Sequence, residues 1–382
     1  MIKAGVIGGG FIGPVHIEAV RRLGFAVVKT LAASSRESAA KKAKSLSIPC
    51  IAENWKEIVD DPEIEVIHIC APNDLHFPIA KAALIAGKHV ICEKPLAMNS
   101  RESAELLKIA KEKGLVNAVA FNYRFYPMIW EARERIKRGD LGRIFIIHGS
   151  YIQDWLLYDT DYNWRLEKEK GGELRAVGDI GSHWCDLIQF VSGLSIDEVL
   201  ADLATFIPVR KKPRKKAETF KDAAEGNDDY EPMKIETEDY AAVLLRFKEG
   251  ARGNFCLSQV SAGRKNRLTF EIDGEKSALF WNQENPEKLW IGKRDEPNLQ
   301  FMRNPALLTK PAGLRTHIPA GHPEGYLDGF KNLVFAIYDF IRKGKNPLES
   351  RPDFPTFEDG HRQTLIGEAI LKSHREKGWT KV

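Results

Sequence analysis

The glycine-rich turn Gly8–Gly13 constrains the fold most, because it stands between an apolar run, Ile2–Ile7, and a predicted helix, Ile12–Leu23. GxGxxG between a strand and a helix is typical of dinucleotide-binding sites. The first glycine permits the tight turn, the second lets a pyrophosphate approach the backbone, and the third lets helix and strand pack closely. The helix N-terminus offers free N–H groups to the phosphates; the alternative is a glycine turn without a ligand. The predicted contacts are Gly8, Gly10, Phe11, Ile12 and Gly13.

The end of the second predicted strand, Ala26–Ala32, bears on the choice of cofactor. NAD enzymes usually place an acidic residue there for the ribose hydroxyls. This chain instead has Ser34, Ser35 and Arg36 after Ala33. Hydroxyl and guanidinium donors suit a 2′-phosphate, which favours NADP, with NAD still possible. The alternative interpretation is that Ser34 caps the next helix and Arg36 is merely exposed.

The spacing of apolar runs divides the 382 residues into two parts. Up to Phe121, short strands alternate with helical stretches, which predicts an α/β Rossmann domain with a parallel sheet over residues 1–123. Later strands follow one another with few helices, which predicts an α+β domain with a large, mostly antiparallel sheet over 124–382. The C-terminal helix, 358–375, is expected to pack back toward the first domain. The charged stretch 208–236, which contains the basic run Arg210–Lys216, is interpreted as a solvated insertion.

Composition excludes several classes of function. The net charge of +4 is close to balance and favours neither nucleic acid nor a membrane surface as a partner. Five scattered cysteines without a CxxC motif fit a reducing compartment, and no signal peptide or membrane span is recognisable, so the cytoplasm is expected. A catalytic metal is not expected, because His183, Cys185 and Asp186 would point in different directions on a helix.

Two further segments carry residue types suited to acid–base chemistry. Glu93-Lys94-Pro95 follows the apolar strand His89–Cys92, at the edge of a parallel sheet where ligands bind. Asp179 and His183 are four residues apart near the start of a predicted helix, so they share a face. A carboxylate beside an imidazole suits a general base. The alternative is a capping Asp179 and a packed His183.

Together, these motifs resemble the Gfo/Idh/MocA family of sugar and polyol oxidoreductases. His16, the segment Ala71–His76 and the segment Asn122–Pro127 add smaller matches. The resemblance implies that His183 takes a proton from a substrate hydroxyl, Asp179 tunes His183, and Lys94 holds the reacting oxygen. It also implies a homodimer or homotetramer. Further cofactor contacts are expected from Ala71, Pro72, Asn73, His76, Glu93, Lys94 and Asn122.

The substrate is expected to be a sugar, an inositol or a related glycoside. Aromatic faces flanked by polar groups between Tyr151 and Arg165 suit a polyhydroxylated ring. Two alternatives stay open: an NAD-dependent glycoside hydrolase of the same family, and a non-catalytic cofactor-sensing regulator. The predicted substrate contacts are Lys94, Tyr123, Arg124, Gln153, Trp155, Trp164, Arg165, Asp179, His183, His322 and Tyr326.

Overall fold

The computed structural model describes residues 1–214 and 229–382. Its N-terminal sheet has six parallel strands in the order β3-β2-β1-β4-β5-β6, so the order reverses between β1 and β4. The predicted Rossmann sheet is therefore confirmed. The strands are β1 Ile2–Ile7, β2 Ala26–Ala32, β3 Cys50–Ala52, β4 Val66–Ile69, β5 His89–Cys92 and β6 Asn117–Val119; the helices are α1 Ile12–Arg21, α2 Arg36–Ser45, α3 Trp55–Asp60, α4 His76–Ile85 and α5 Ser100–Lys113.

The second sheet has nine strands in the order β16-β15-β14-β13-β7-β12-β11-β8-β17. All of these neighbours pair antiparallel except β7 and β12, which are parallel. The expectation of a large, mostly antiparallel sheet is thus confirmed. The later strands are β7 Ile144–Ile152, β8 Ile196–Ala204, β9 Val209–Pro213, β10 Tyr230–Lys234, β11 Tyr240–Phe247, β12 Arg252–Ser258, β13 Arg267–Gly274, β14 Ala278–Asn282, β15 Lys288–Gly292, β16 Leu299–Met302 and β17 Thr380–Lys381.

Helices cover one face of this sheet and connect it to the first. They are α6 Pro127–Lys137, α7 Lys168–Gly171, α8 Ser182–Ser192, α9 Lys310–Gly313, α10 Tyr326–Arg342 and α11 Phe357–Glu376. Helix α8 packs through Trp184, whose ring stacks on Phe255 at 4.5 Å. Helix α10 lies against α1 and adds residues such as Leu333 to the core beneath the first sheet.

Helix α11 contacts both sheets. It packs against β8 of the large sheet and α5 of the Rossmann sheet. The Oγ of Ser103 lies 2.8 Å from Nδ1 of His361, and the backbone N–H of Ser100 donates to the carboxylate of Glu368 at 2.7 Å. These contacts put the C-terminal helix against the Rossmann sheet. No helix in the described ranges is long and apolar enough to cross a membrane.

The interpretation of 208–236 as solvated is wrong for its start. Strands β9 and β10 form a separate two-stranded antiparallel sheet, and Arg210 in β9 is completely buried. Its guanidinium pairs with the buried carboxylate of Asp239, which removes the need for water around the charge. The remainder of the basic run, from Lys215, and the acidic residues up to Asp228 lie outside the described residues.

Candidate active site

The turn between β1 and α1 has the shape that a pyrophosphate requires. Gly8 has φ +116°, and a Cβ there would collide with the carbonyl of Cys70. A Cβ at Gly13 would collide with the Gly8 carbonyl, so helix and turn pack closely. At Gly10, in contrast, a Cβ would meet nothing within 4 Å, which leaves room for a ligand. The first turn of α1 contains no acidic residue to repel phosphate. The turn therefore fits a dinucleotide.

The three residues after β2 that were assigned to cofactor choice are all exposed. The side chain of Ser35, rather than that of Ser34, caps α2 by accepting from the N–H of Ser38 at 3.2 Å. Arg36 is 69% exposed and pairs with Glu53. A ribose bound here would meet the Ser35 hydroxyl, which already caps α2, and the Arg36 guanidinium, which already pairs with Glu53.

Two loops at the carboxyl ends of β4 and β5 are held together by His76. Its Nδ1 lies 2.7 Å from the Pro95 carbonyl, and its Nε2 lies 2.9 Å from the Ala71 carbonyl. The Lys94–Pro95 peptide bond is cis. Nearby, Asn73 donates to the Gly171 carbonyl at 2.9 Å, which links the Rossmann edge to the second domain. Both loops are thus fixed beside the turn Gly8–Gly13, here called the glycine cradle.

Glu93 is buried and joined to a chain of histidines. Its Oε1 lies 3.1 Å from Nε2 of His16, whose Nδ1 lies 2.8 Å from Nδ1 of His68. Nε2 of His68 lies 2.7 Å from the hydroxyl of Tyr338 in α10. Burial raises the pKa of Glu93, but the contact with His16 outweighs it and the pKa is lowered. Glu93 is therefore ionised, and it anchors the segment that carries Lys94.

Lys94 and Asp179, which are 85 residues apart in the chain, meet in an ion pair whose side chains are only 10% and 14% exposed. Nζ of Lys94 lies 2.6 Å from Oδ1 of Asp179 and 2.9 Å from its carbonyl oxygen. Arg165 donates to the same carboxylate at 3.2 Å, and Gln259 donates to its other oxygen at 3.1 Å. Burial raises the pKa of Asp179, but the charges of Lys94 and Arg165 outweigh it and hold the pKa well below its usual range. Asp179 is thus a permanent anion.

His183 lies in the first turn of α8, four residues after Asp179, which belongs to the preceding π-helical turn Val177–Gly181. Its ring contacts Phe121 and Tyr123 at centroid distances of 5.7 and 4.9 Å. Burial and then the charge of Lys94 lower its pKa well below 6.5, and Asp179 opposes them only in part. The imidazole is therefore neutral near pH 7 and can accept a proton.

The ring of His183 is not hydrogen-bonded to the carboxylate beside it. No hydrogen bond joins its ring to Asp179 within the described ranges, so the carboxylate acts on it through charge. Three buried polar atoms around this site have no partner in the described part of the chain. They are Nδ1 of His183, Nδ2 of Asn122 and Oε1 of Gln259. Unsatisfied buried polar atoms are uncommon and are expected where a ligand supplies the missing partner.

Aromatic and amide side chains form a network beside His183. Hydroxyls of Tyr123 and Tyr151 lie 2.8 Å apart, and Asn266 contacts both, at 3.0 and 2.7 Å. The side-chain amide of Gln153 donates to Oδ1 of Asn266 at 2.7 Å, the oxygen that also accepts from Tyr151, and its own oxygen accepts from the Trp155 indole at 2.9 Å. This network gives the wall of the site fixed hydroxyl and amide groups of the kind that bind polyols.

The topology explains why Gln259 and Asn266, which sequence reasoning missed, belong to the site. Strands β7 and β12 are parallel, so Gln153 and Gln259, which follow them directly, lie at the same edge of the sheet. Strand β13 is antiparallel to β7, so Asn266, just before it, reaches that edge too. No local pattern distinguishes these amides; only the strand order does.

Several predicted substrate residues occupy other surroundings. Arg124 is buried, and its guanidinium is held by the carboxylates of Asp186 and Asp359. His322 is exposed, and its carbonyl rather than its ring accepts from Arg303. The remaining aromatic contacts are Trp164, under Arg165 at 4.3 Å, and Tyr326, whose ring lies 6.3 Å from that of Tyr123.

Comparison with known proteins identifies the family. Residues 2–121 match the model described as "Oxidoreductase family, NAD-binding Rossmann fold", and residues 129–280 match the "GFO/IDH/MocA C-terminal domain". The chain belongs to the Gfo/Idh/MocA family. It is an NAD(P)-dependent oxidoreductase, with the fold class that the sequence predicted.

Individual relatives cover the whole chain. Levoglucosan dehydrogenase of Pseudarthrobacter phenanthrenivorans is 32% identical over 100% of this chain and 98% of its own. Myo-inositol 2-dehydrogenase of Thermotoga maritima is 23% identical over 100% and 98%. A structure of levoglucosan dehydrogenase in complex with NADH and levoglucosan is similar with a TM-score of 0.87 at 31% identity, over 100% of this chain and 99% of the other. The Gfo/Idh/MocA architecture therefore extends over both sheets.

Proposed function

We propose that this protein oxidises a CH–OH group of a sugar, inositol or related polyol, and reduces the matching carbonyl in reverse. One observation carries the proposal: Lys94, just after β5, forms an ion pair with Asp179, and both charges act on the buried ring of His183, whose Nδ1 has no hydrogen-bond partner among the described residues. The nicotinamide of the bound cofactor supplies the hydride chemistry. The residues of the chain manage the substrate proton and the substrate oxygen.

The roles of the three residues follow from their charges. Neutral His183 accepts the proton of the substrate hydroxyl as general base, because its pKa lies well below 6.5. Lys94 donates a hydrogen bond to the reacting oxygen from the place where Asp179 holds its ammonium. Asp179 stabilises the positive charge that forms on His183 when it takes the proton. In reduction, the imidazolium returns the proton to the oxygen.

We propose that the substrate contacts come from both domains. The wall built from Tyr123, Tyr151, Gln153 and Trp155 presents ring faces and polar groups suited to hydroxylated carbon. The levoglucosan and NADH complexes of the 31% identical relative make anhydrosugars the first substrates to offer. Residues 1–123 are proposed to bind the cofactor and to add Lys94 and Tyr123 to the substrate site, and residues 124–382 are proposed to provide the rest of that site.

For the cofactor, we propose that NADP is accepted through Ser34, Ser35 and Arg36. Ala33, Ser34 and Ser35, which directly follow β2, carry no carboxylate, and the Arg36 guanidinium is 69% exposed although it pairs with Glu53. NADH in the related complexes favours NAD as the competing candidate. Comparing kcat/KM for NADP and NAD in the wild type and in Arg36→Ala decides between them. Loss of NADP activity alone in the variant supports the proposal; preference for NAD in both proteins contradicts it.

The function is tested by the near-ultraviolet absorbance of reduced nicotinamide, with levoglucosan, inositols, hexoses and glycosides offered alongside NAD or NADP. We expect reduction with at least one of them. Lys94→Ala and His183→Ala should each lower kcat/KM by about 100- to 10,000-fold. His148→Ala, which removes a partly exposed histidine from β7, is the matched control and should retain activity.

Two outcomes would point elsewhere. If no substrate reduces the cofactor and free sugar appears from a glycoside, the NAD-dependent hydrolase is correct. If neither occurs although cofactor binds tightly, the protein is a cofactor sensor. The Lys94–Asp179 pair, which is largely shielded from solvent, argues for catalysis over sensing, because desolvating such an ion pair is costly without a use.

We also propose that the enzyme works in the cytoplasm as a homodimer or homotetramer. The described cysteines are all unpaired, which is typical of proteins from reducing compartments. Large apolar side chains on the outer face of the second sheet, among them Phe145, Ile146 and Leu244, are 41, 44 and 48% exposed. An exposed apolar sheet face suits a second copy of the chain. Light scattering in solution tests the assembly.

A further inference from the structure

Arg210, at the start of the insertion, is bound by the backbone of a distant loop. Nη2 donates to the Leu156 carbonyl at 2.7 Å, and Nη1 donates to the carbonyls of Tyr158 and Asp161 at 2.6 and 3.3 Å. One buried guanidinium therefore gathers three carbonyls of the segment 154–167, here called the 154–167 loop. The fork of donors on an arginine suits this task, because it reaches several acceptors in one plane.

The neighbours of Arg210 hold the same loop. The N–H of Lys211 donates to the Asp159 carbonyl at 2.8 Å, and its ammonium lies 3.0 Å from the Asp159 carboxylate. The ammonium of Lys212 lies 3.6 Å from Glu167. Beneath these charges is a small apolar cluster, made of Leu156, Leu166 and Ile235 with Trp155, Tyr162 and Met233 packed against it. Strands β9 and β10 thus hold the 154–167 loop through both charged and apolar contacts.

A second set of contacts connects Arg210 to the turn Val177–Gly181, which carries Asp179. Arg210 and Arg175 both pair with Asp239, and all three side chains are completely buried. The carbonyl of Arg175 accepts from the N–H of Asp179 at 2.7 Å. Asp239 is also linked to the site directly, since its carbonyl accepts from the N–H of Gln259 at 3.1 Å. A shift of Arg210 would therefore displace the backbone at both Asp179 and Gln259.

The loop matters because it carries groups of the proposed site. Trp155 is hydrogen-bonded to Gln153, and Arg165 contacts the Asp179 carboxylate. Binding groups of this kind need placement to within about 0.5 Å, which loops do not achieve without support from a second layer of residues. The hairpin provides such a layer from behind the loop.

We propose that Arg210 is a positioning residue: through it, the insertion fixes the 154–167 loop and so sets the affinity and selectivity for the polyol substrate. This inference rests on the proposed function and assigns substrate specificity to an element that does not itself touch the reacting atoms.

The kinetic test compares Arg210→Met and Arg210→Lys with Arg214→Met, a matched control whose exposed guanidinium pairs with Asp229 in the same hairpin. Arg210→Met should raise the substrate KM about 10- to 100-fold, as a displacement of roughly 1 Å would. The KM for the cofactor should change less than about twofold, because the cradle is untouched. Arg210→Lys should recover part of the loss, and Arg214→Met should behave as wild type. Parallel changes in both KM values, or an unchanged substrate KM in Arg210→Met, would overturn the proposal.

A second measurement needs no substrate. Amide hydrogen exchange in Arg210→Met should accelerate in peptides covering 154–167 and remain unchanged in the Rossmann strands. Met233→Ala, which trims the apolar contact alone, should give a weaker form of the same pattern. If the wild type oxidises no polyol, the proposed function fails, while local acceleration of exchange would still support the role of Arg210. Unchanged exchange in 154–167 would refute that role whatever the activity.

Discussion

Replacing Arg124 with Met tests whether this residue is structural, as its contacts indicate, or binds substrate, as the sequence suggested. The guanidinium holds Asp186, which is 1% exposed, through two donors, and also contacts Asp359. Removing one partner of a buried pair leaves an uncompensated charge and costs about 3–5 kcal/mol. In a chain of this size, whose entropy of unfolding is about 0.8 kcal/mol/K, that lowers the melting temperature by about 4–6 °C.

The pH dependence makes the test specific. Burial raises the pKa of Asp186 to about 6 even beside Arg124, and the nearby Asp359 adds to the rise. Above pH 6, Asp186 is therefore ionised in both the folded and the unfolded wild type, and it contributes no slope. Without Arg124 its folded pKa rises further, so the folded variant keeps a proton that the unfolded chain has lost. The free energy of unfolding then falls by about 1.4 kcal/mol per pH unit above pH 6.

Thermal unfolding without cofactor, followed by intrinsic fluorescence at pH 6 and pH 8, measures both effects. Arg124→Met should lose about 3 kcal/mol more than wild type between these two pH values. The double variant with Asp186→Asn, which cannot ionise, should lose the additional slope and regain most of the stability. It should also keep a substrate KM close to wild type. A flat pH response in the single variant, or a greatly raised KM in a stable double variant, would refute the structural assignment of Arg124.

Three further predictions concern the site itself. Gly10→Ala should leave the melting temperature unchanged, since its Cβ meets open space, but should weaken cofactor binding in a fluorescence titration by about tenfold or more; equal affinity would contradict the assignment of the cradle. Lys94→Met should move the acid limb of the kcat/KM profile to higher pH, because the Lys94 charge lowers the pKa of His183; an unmoved limb would exclude His183 as the titrating base. Asn266→Leu should raise the substrate KM about tenfold with little change in the cofactor KM, because two tyrosines and a glutamine lose a common partner; a wild-type substrate KM would remove Asn266 from the site.

The parts of the fold that could be predicted from sequence are those with a clear burial pattern. Strands β2 and β5 were predicted to the residue, because their apolar runs end where burial ends. Strand β3 has only three residues, one of them buried, so no periodicity could mark it. Helix α2 buries only two alanines, and five of its ten residues are charged, so its amphipathic pattern is weak. Local signals thus fail where an element contributes little to the core.

The site could be predicted where its residues lie close together in the sequence. The glycine cradle and the four-residue spacing of Asp179 and His183 could be recognised in the sequence, but the contact between Lys94 and Asp179 crosses two domains. Gln259 required knowledge of the parallel pair β7 and β12. Arg210 was misjudged because its partners are backbone carbonyls about fifty residues earlier, which no composition or charge pattern can reveal.

The charges of Lys94 and Asp179 together prepare His183 for proton transfer, which none of the three residues would achieve alone. Lys94 keeps Asp179 ionised, and the same charge, together with burial, keeps His183 neutral. The base is thereby ready to accept a proton near pH 7, while the anion that would stabilise the resulting imidazolium is already in place. Groups whose environments fix opposite protonation states are the pattern expected of an acid–base pair. Because Lys94 contributes to both states, its removal should disturb the base, the anion and the substrate oxygen at once, so its effect should exceed that of losing one hydrogen bond.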